Sequence, residues 1–118
     1  VENGQEKRKF VRLSALVDVI YNKRTLTQNE LSITRNISRG GICLIAYDEL
    51  NEQDVLDLKL YLPEDKTPIR AIGKVVWVKE FIIGSIEEGK RFDVGIEFMD
   101  IKEEDANRVN KYVFSHIR

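Results

Sequence analysis

Two short segments hold side chains whose types and spacing suit ligand chemistry. In "EKRKFVRL", residues 6–13, the basic residues Lys7, Arg8, Lys9 and Arg12 crowd into six positions, with Arg8 and Arg12 four apart. A guanidinium is a planar fork of donors: it holds phosphate oxygens two at a time and stacks on aromatic rings. In "NISRGG", Asn36, Ser38 and Gly41 form an N-x-S-x-x-G pattern, Arg39 adds a third fork, and Gly40 and Gly41 allow close backbone approach or conformations that other residues avoid. Asn36 and Ser38 share the polar parity of their segment, so both can aim at one ligand. Together these residues suit a clamp for a flat, phosphate-bearing molecule. The same residues also suit a solvated basic arm and a plain glycine hairpin, and residue types alone leave both readings open.

Catalytic signatures are scarce. The one histidine, His116, lies near the C-terminus without a nucleophile or carboxylate at a useful spacing. HExxH, CxxC, GxSxG and GxxxxGK[ST] patterns are missing, so zinc hydrolysis, α/β-hydrolase chemistry and P-loop nucleotide hydrolysis lack support. The reading is therefore not an enzyme, with no catalytic residue, metal site or cofactor. Cys43, the single cysteine, sits in the apolar run "GICLIA" and is expected to be buried and inert. The acidic cluster Asp48, Glu49, Glu52 and Asp54 lacks EF-hand spacing and reads as a solvated connector. Phe92 and Phe98 share the apolar parity of their segment, which assigns them to a core rather than to a stacking platform for single-stranded nucleic acid.

The elements that would position the two segments follow from periodicity. The 118 residues, 42% hydrophobic and 33% charged, fit one soluble domain. Residues 1–41 carry eight basic and four acidic side chains, whereas the rest carries eleven and sixteen. This split suggests one electropositive face for an anionic partner rather than a general nucleic-acid binder. "LSALVDVIY" reads as a first strand buried partly on both faces, and "LSITRNI" as its hairpin partner, with Leu31, Ile33 and Ile37 as the apolar set. "ICLIA" is a third strand. "VLDLKLYLP", with Leu56, Leu58, Leu60 and Leu62 on one face, is the cleanest alternation. "PIRAIGKVVWVKEF" is a long fifth strand expected to bend or bulge around Gly73, and "FDVGIEFM" is a sixth. From Asp100 the period changes: Ala106, Val109, Val113 and Ile117 recur at helical spacing, Asp100 and Glu103 form a plausible capping box, and His116 and Arg118 end the helix. The expected fold is mainly β, a six-stranded antiparallel β-barrel with a C-terminal α-helix from about residue 101. Residues 1–12 form a flexible basic N-terminal arm, and residues 13–118 form the barrel and helix. No run approaches the roughly 20 apolar residues of a membrane helix, and "VENGQEKRKF" lacks the apolar core of a signal peptide. The expectation is a cytoplasmic chain without membrane insertion. A start at Val1 rather than Met suggests a domain from a longer protein.

The pair "RKFVR" and "NISRGGICL", with "GKVVWV", "FDVGIEFM" and the terminal helix, resembles a PilZ domain from Glu6 to Ile117. PilZ domains are bacterial receptor modules for the second messenger cyclic di-GMP and form split barrels. The resemblance implies that Arg8 and Arg12 grip guanine and phosphate, and that Asn36, Ser38 and Gly41 complete the site on the barrel surface. Lys7, Arg39 and Gly40 are secondary ligand-binding candidates. Asn36 stands where many members have aspartate, and a neutral amide holds a guanine edge less strongly than a carboxylate. Lys7 occupies a position the family associates with the number of ligand molecules bound. The implied function is a cyclic di-GMP receptor that orders its arm on binding and signals to a protein partner or fused domain. No DNA or RNA partner is expected. The alternative is a PilZ-like interaction adaptor independent of nucleotide.

Overall fold

The computed structural model describes residues 10–24, 28–63, 65–82, 84 and 89–117. Among these described residues, seven antiparallel strands precede one helix: β1 (Arg12–Ser14), β2 (Asp18–Lys23), β3 (Glu30–Ser38), β4 (Gly41–Ala46), β5 (Val55–Tyr61), β6 (Ile69–Ile82), β7 (Lys90–Ile101) and α1 (Glu103–His116). The sheet runs β1-β3-β2-β5-β6-β7-β4, and a further β3–β4 pairing joins its ends. Six strands therefore close into the expected barrel. Closure satisfies the strand edges that an open sheet would expose. β1 is an addition to that ring, paired with β3 alone.

The expected first strand is in fact two. Residues 15–17 leave the sheet between β1 and β2, and Leu16 turns out to solvent, 72% exposed. Thr34 holds this break. Its fully buried hydroxyl accepts from the Val17 amide at 3.0 Å and donates to the Ala15 carbonyl at 2.7 Å, replacing the ladder bonds that the kink removes.

β3 departs most from its pattern. Leu31 is 67% exposed, whereas Ser32 and Thr34 are buried. A bulge between Thr34 and Asn36 then shifts the register against β4, so Ile37 turns into the core and Asn36 and Ser38 come to the cleft. The two inward hydroxyls are tolerated because each has a backbone acceptor, Ser32 donating to the Ile45 carbonyl and Thr34 to that of Ala15.

Elsewhere the alternation holds. Leu56, Leu58, Leu60 and Leu62 are all buried, as are Phe92, Val94 and Ile96. The register of β6 on β7 shifts twice, at Ile72/Gly73 as expected and again at Val75/Trp77. Burial changes face at the second shift: Ile69, Ala71, Gly73 and Val75 point inward, then Trp77 lies outside and Val78 packs on the core.

α1 begins two residues after β7 and packs on β1 and β3. Ala106, Val109 and Val113 are buried, and the two valines join the barrel core. The expected capping box does not form. Asp100 is still in β7, opposite Ile72, and the N-cap is Lys102, without a side-chain cap bond. Glu103, Glu104 and Asp105 complement the helix dipole instead. Ile117 lies past the helix end and Arg118 lies outside the described residues.

Candidate functional site

Strand register brings Arg12, Asn36, Ser38 and Gly41 to one face of the barrel. One row crosses four strands: Arg12 opposite Ser38, Ser38 opposite Gly41, and Gly41 opposite Glu97. The next row is Ser14, Asn36, Cys43, Gly95 and Trp77. Neighbouring strands lie about 4.8 Å apart, so Arg12 and Glu97 are separated by roughly 14 Å of backbone. Over these rows lies a cleft of about 490 Å³, with Phe10, Arg12, Asn36, Ser38, Gly40, Gly41, Trp77 and Glu97 in its wall.

The turn from β3 to β4 is held by Ser38. Its Oγ accepts from the Gly40 amide at 3.1 Å and donates to the Gly41 carbonyl at 3.3 Å, while the Gly40 carbonyl accepts from the Phe98 amide at 2.9 Å. A hydroxyl has two acceptor lone pairs, so one remains for a ligand. Ser38 is thus part of the scaffold of the turn, a role its sequence pattern did not reveal.

The glycines are needed for space rather than for backbone angle. Among the described residues, positive φ occurs at Gln53, Gly84 and Gly89, not at Gly40 or Gly41. A Cβ on Gly41 would lie 2.0 Å from the carbonyl oxygen of Ile96 on the next strand. A Cβ on Gly40 would lie 2.4 Å from Cδ2 of Phe10, whose ring rests on the turn. The Arg39 guanidinium in turn sits 5.6 Å from the centroid of that ring. Gly95 serves the same purpose for an aromatic: its Cβ would fall 2.1 Å from Nε1 of Trp77, so the indole lies flat on the strand.

Of the expected site residues, Arg12, Asn36, Ser38, Gly40 and Gly41 line this cleft, and Arg39 stands beside it on Phe10. Arg12 is exposed and makes no ion pair with a described carboxylate. Lys7 and Arg8 lie outside the described residues. Sequence reasoning assigned no role to Phe10, Trp77, Gly95 or Glu97. The one local signal was Gly95, a glycine on the outward parity of a strand otherwise rich in large residues.

Cys43 is buried, and burial, assisted by the negative charge of Asp93, pushes its thiol up to about 11. It remains a protonated, weakly nucleophilic group at neutral pH. His116 is exposed at the helix end, its Nδ1 2.9 Å from the Tyr112 carbonyl. Among the described residues, no three His, Cys, Asp or Glu side chains are grouped to hold a metal ion. No described helix is long and apolar enough to cross a membrane.

The PilZ domain family model matches residues 6–115, nearly the whole chain. The chain belongs to the PilZ domain family. PilZ domains are ligand-binding, regulatory modules, and solved PilZ structures share this fold. The inhibitor of motility MotI/DgrA of Bacillus subtilis is 22% identical, with a TM-score of 0.73 over 98% of this chain and 51% of that one. The PilZ domain of YcgR from Escherichia coli, solved with c-di-GMP, is 13% identical, with a TM-score of 0.72 over 92% of this chain and 90% of that one. The K. pneumonia MrkH–c-di-GMP complex is 19% identical, with a TM-score of 0.74 over 98% of this chain and 52% of that one. The chain thus spans about half the length of MotI and MrkH. At such identities the likeness establishes the PilZ fold. A comparison with curated proteins found no match.

Proposed function

We propose that this PilZ domain is a non-catalytic receptor for cyclic di-GMP. The observation that carries the reading is the convergence of Arg12, Asn36 and the Ser38–Gly41 turn on one open cleft that also presents the flat face of Trp77. A cyclic dinucleotide offers two phosphates and two flat bases, and the wall offers a guanidinium, an amide and an indole, groups of the kinds that bind them. Arg8, four residues before Arg12, supplies a second fork when the chain ahead of β1 closes over the cleft. The residues ahead of Phe10 act as an arm that becomes ordered on binding, while Arg12 is already held in β1 opposite Ser38, and the changed surface is what a partner or fused domain reads. The YcgR and MrkH structures solved with c-di-GMP, which share the fold, support this choice of ligand.

Isothermal titration of the folded chain with cyclic di-GMP tests the reading. Saturable heat is expected, with the ligand recovered intact, and affinity should weaken modestly with salt because only two phosphates are neutralised. A flat titration at millimolar ligand refutes the receptor and leaves the nucleotide-independent adaptor. Amide exchange tests the arm: protection of residues 5–9 is expected to rise with ligand, and equal protection in both states removes the moving part.

A further inference from the structure

We propose that Glu97 sets the base specificity of this cleft by accepting hydrogen bonds from the N1–H and 2-amino groups of guanine. The inference rests on the proposed cyclic di-GMP site and goes beyond it in naming the residue that distinguishes one purine from another.

Glu97 is an exposed carboxylate in the cleft wall that makes no ion pair or hydrogen bond with a described residue. It follows Gly95 by two positions on β7, so both residues occupy the same face of the strand, about 7 Å apart. Trp77 lies flat over Gly95. Position 97 therefore lies within reach of the edge of a base stacked on that indole.

Charge is distributed to suit this orientation. Arg12 stands three strands away from Glu97, and Arg39 lies by Phe10 at the turn before β4. Lys74 lies opposite Glu97 on β6 but forms no ion pair with it; phosphates are drawn to the paired arginine forks, which leaves the carboxylate facing a base rather than a like charge.

Hydrogen-bond chemistry selects the base. A carboxylate only accepts, through two oxygens, and matches an edge with two adjacent donors. Guanine offers N1–H and the 2-amino group. Hypoxanthine lacks the second donor, and adenine turns an N1 acceptor towards the carboxylate. Asn36 complements a donor–donor edge less well, because its amide carries a single, neutral acceptor oxygen where a carboxylate has two that share a charge. Glu97 thus supplies the acceptor pair that the amide at position 36 does not.

Titration of the whole chain with cyclic di-GMP, cyclic di-IMP and cyclic di-AMP, for wild type, Glu97→Gln and Glu97→Ala, tests the assignment. Wild type is expected to favour cyclic di-GMP over cyclic di-IMP by about tenfold or more, the worth of one charge-assisted hydrogen bond. Cyclic di-AMP should bind more weakly still. Both variants should bring the first two ligands within about twofold of each other, chiefly by losing cyclic di-GMP affinity, with melting temperatures unchanged. Wild type that binds cyclic di-GMP without this preference, or variants that keep it, overturn the role of Glu97 and leave the receptor standing. Wild type that binds none of the three overturns both.

Discussion

Replacing Gly41 with alanine places a Cβ 2.0 Å from the carbonyl oxygen of Ile96, at least 1 Å inside any contact the backbone tolerates. Nothing flexible lies there: the next atoms are the Ile96 carbonyl carbon at 3.1 Å and Glu97 Cα at 3.2 Å. β4 must therefore move off β7 at Gly41↔Glu97, the first of six paired positions. Overpacking of this kind costs about 1–3 kcal/mol, and a weakened ladder bond adds about 0.5–1.5 kcal/mol. The reduced freedom of the unfolded chain offsets about 0.4–1 kcal/mol. The net loss is about 2 kcal/mol, which for a chain of this size lowers the melting temperature by roughly 8 °C. Gly40→Ala is the control. Its Cβ meets the half-exposed ring of Phe10, which can swing away, so the melt should stay within about 2 °C while cyclic di-GMP affinity falls as Phe10 and Arg39 are displaced. Calorimetric melts and titrations on both variants are the assay. A Gly41→Ala melt within 2 °C of wild type, or equal losses for the two variants, refutes the close-approach account of this turn.

Arg12→Ala should reduce cyclic di-GMP affinity about tenfold to 150-fold, as loss of a charged contact of about 1.5–3 kcal/mol implies. Its melt should hardly change because the side chain is exposed; an unaltered titration would remove Arg12 from the site. Ser38→Ala should lower stability by about 1–2 kcal/mol, since two hydrogen bonds of the turn are lost, as well as weakening binding; a denaturant curve that overlays wild type would contradict the scaffold role of its hydroxyl. Cys43 and Tyr21 both lose protons less readily when buried, rising from 9.0 to about 11 and from 10.0 to about 12. The unfolded chain therefore releases these protons first, and stability should be full below pH 9 and decline from about pH 9 to 12; urea midpoints that stay level across that range for wild type would refute this linkage.

Local pattern alone specified much of the barrel. Strict alternation over Leu56–Leu62 and Phe92–Phe98, and the helical spacing of Ala106, Val109 and Val113, reflect the burial of one face of each element, which any folded context of this class enforces. Arg12 and the N-x-S-x-x-G segment stood out too, because their residue types are unusual for a strand edge and a turn, and they line one cleft. Tertiary structure decided what periodicity cannot carry. Leu31 faces out and Ser32 and Thr34 face in because backbone carbonyls of Ala15 and Ile45, remote in sequence, are there to accept from the hydroxyls. Gly41 is glycine because the Ile96 carbonyl approaches from a strand more than fifty residues later, not because of its own φ. Trp77, Gly95 and Glu97 join Asn36 and Ser38 only through the registers of β3 on β4, β4 on β7 and β7 on β6. Those registers depend on three bulges and on closure of the ring; only the shift at Gly73 was marked in the sequence, and the others arise from contacts between distant strands that leave no mark on either strand's own period.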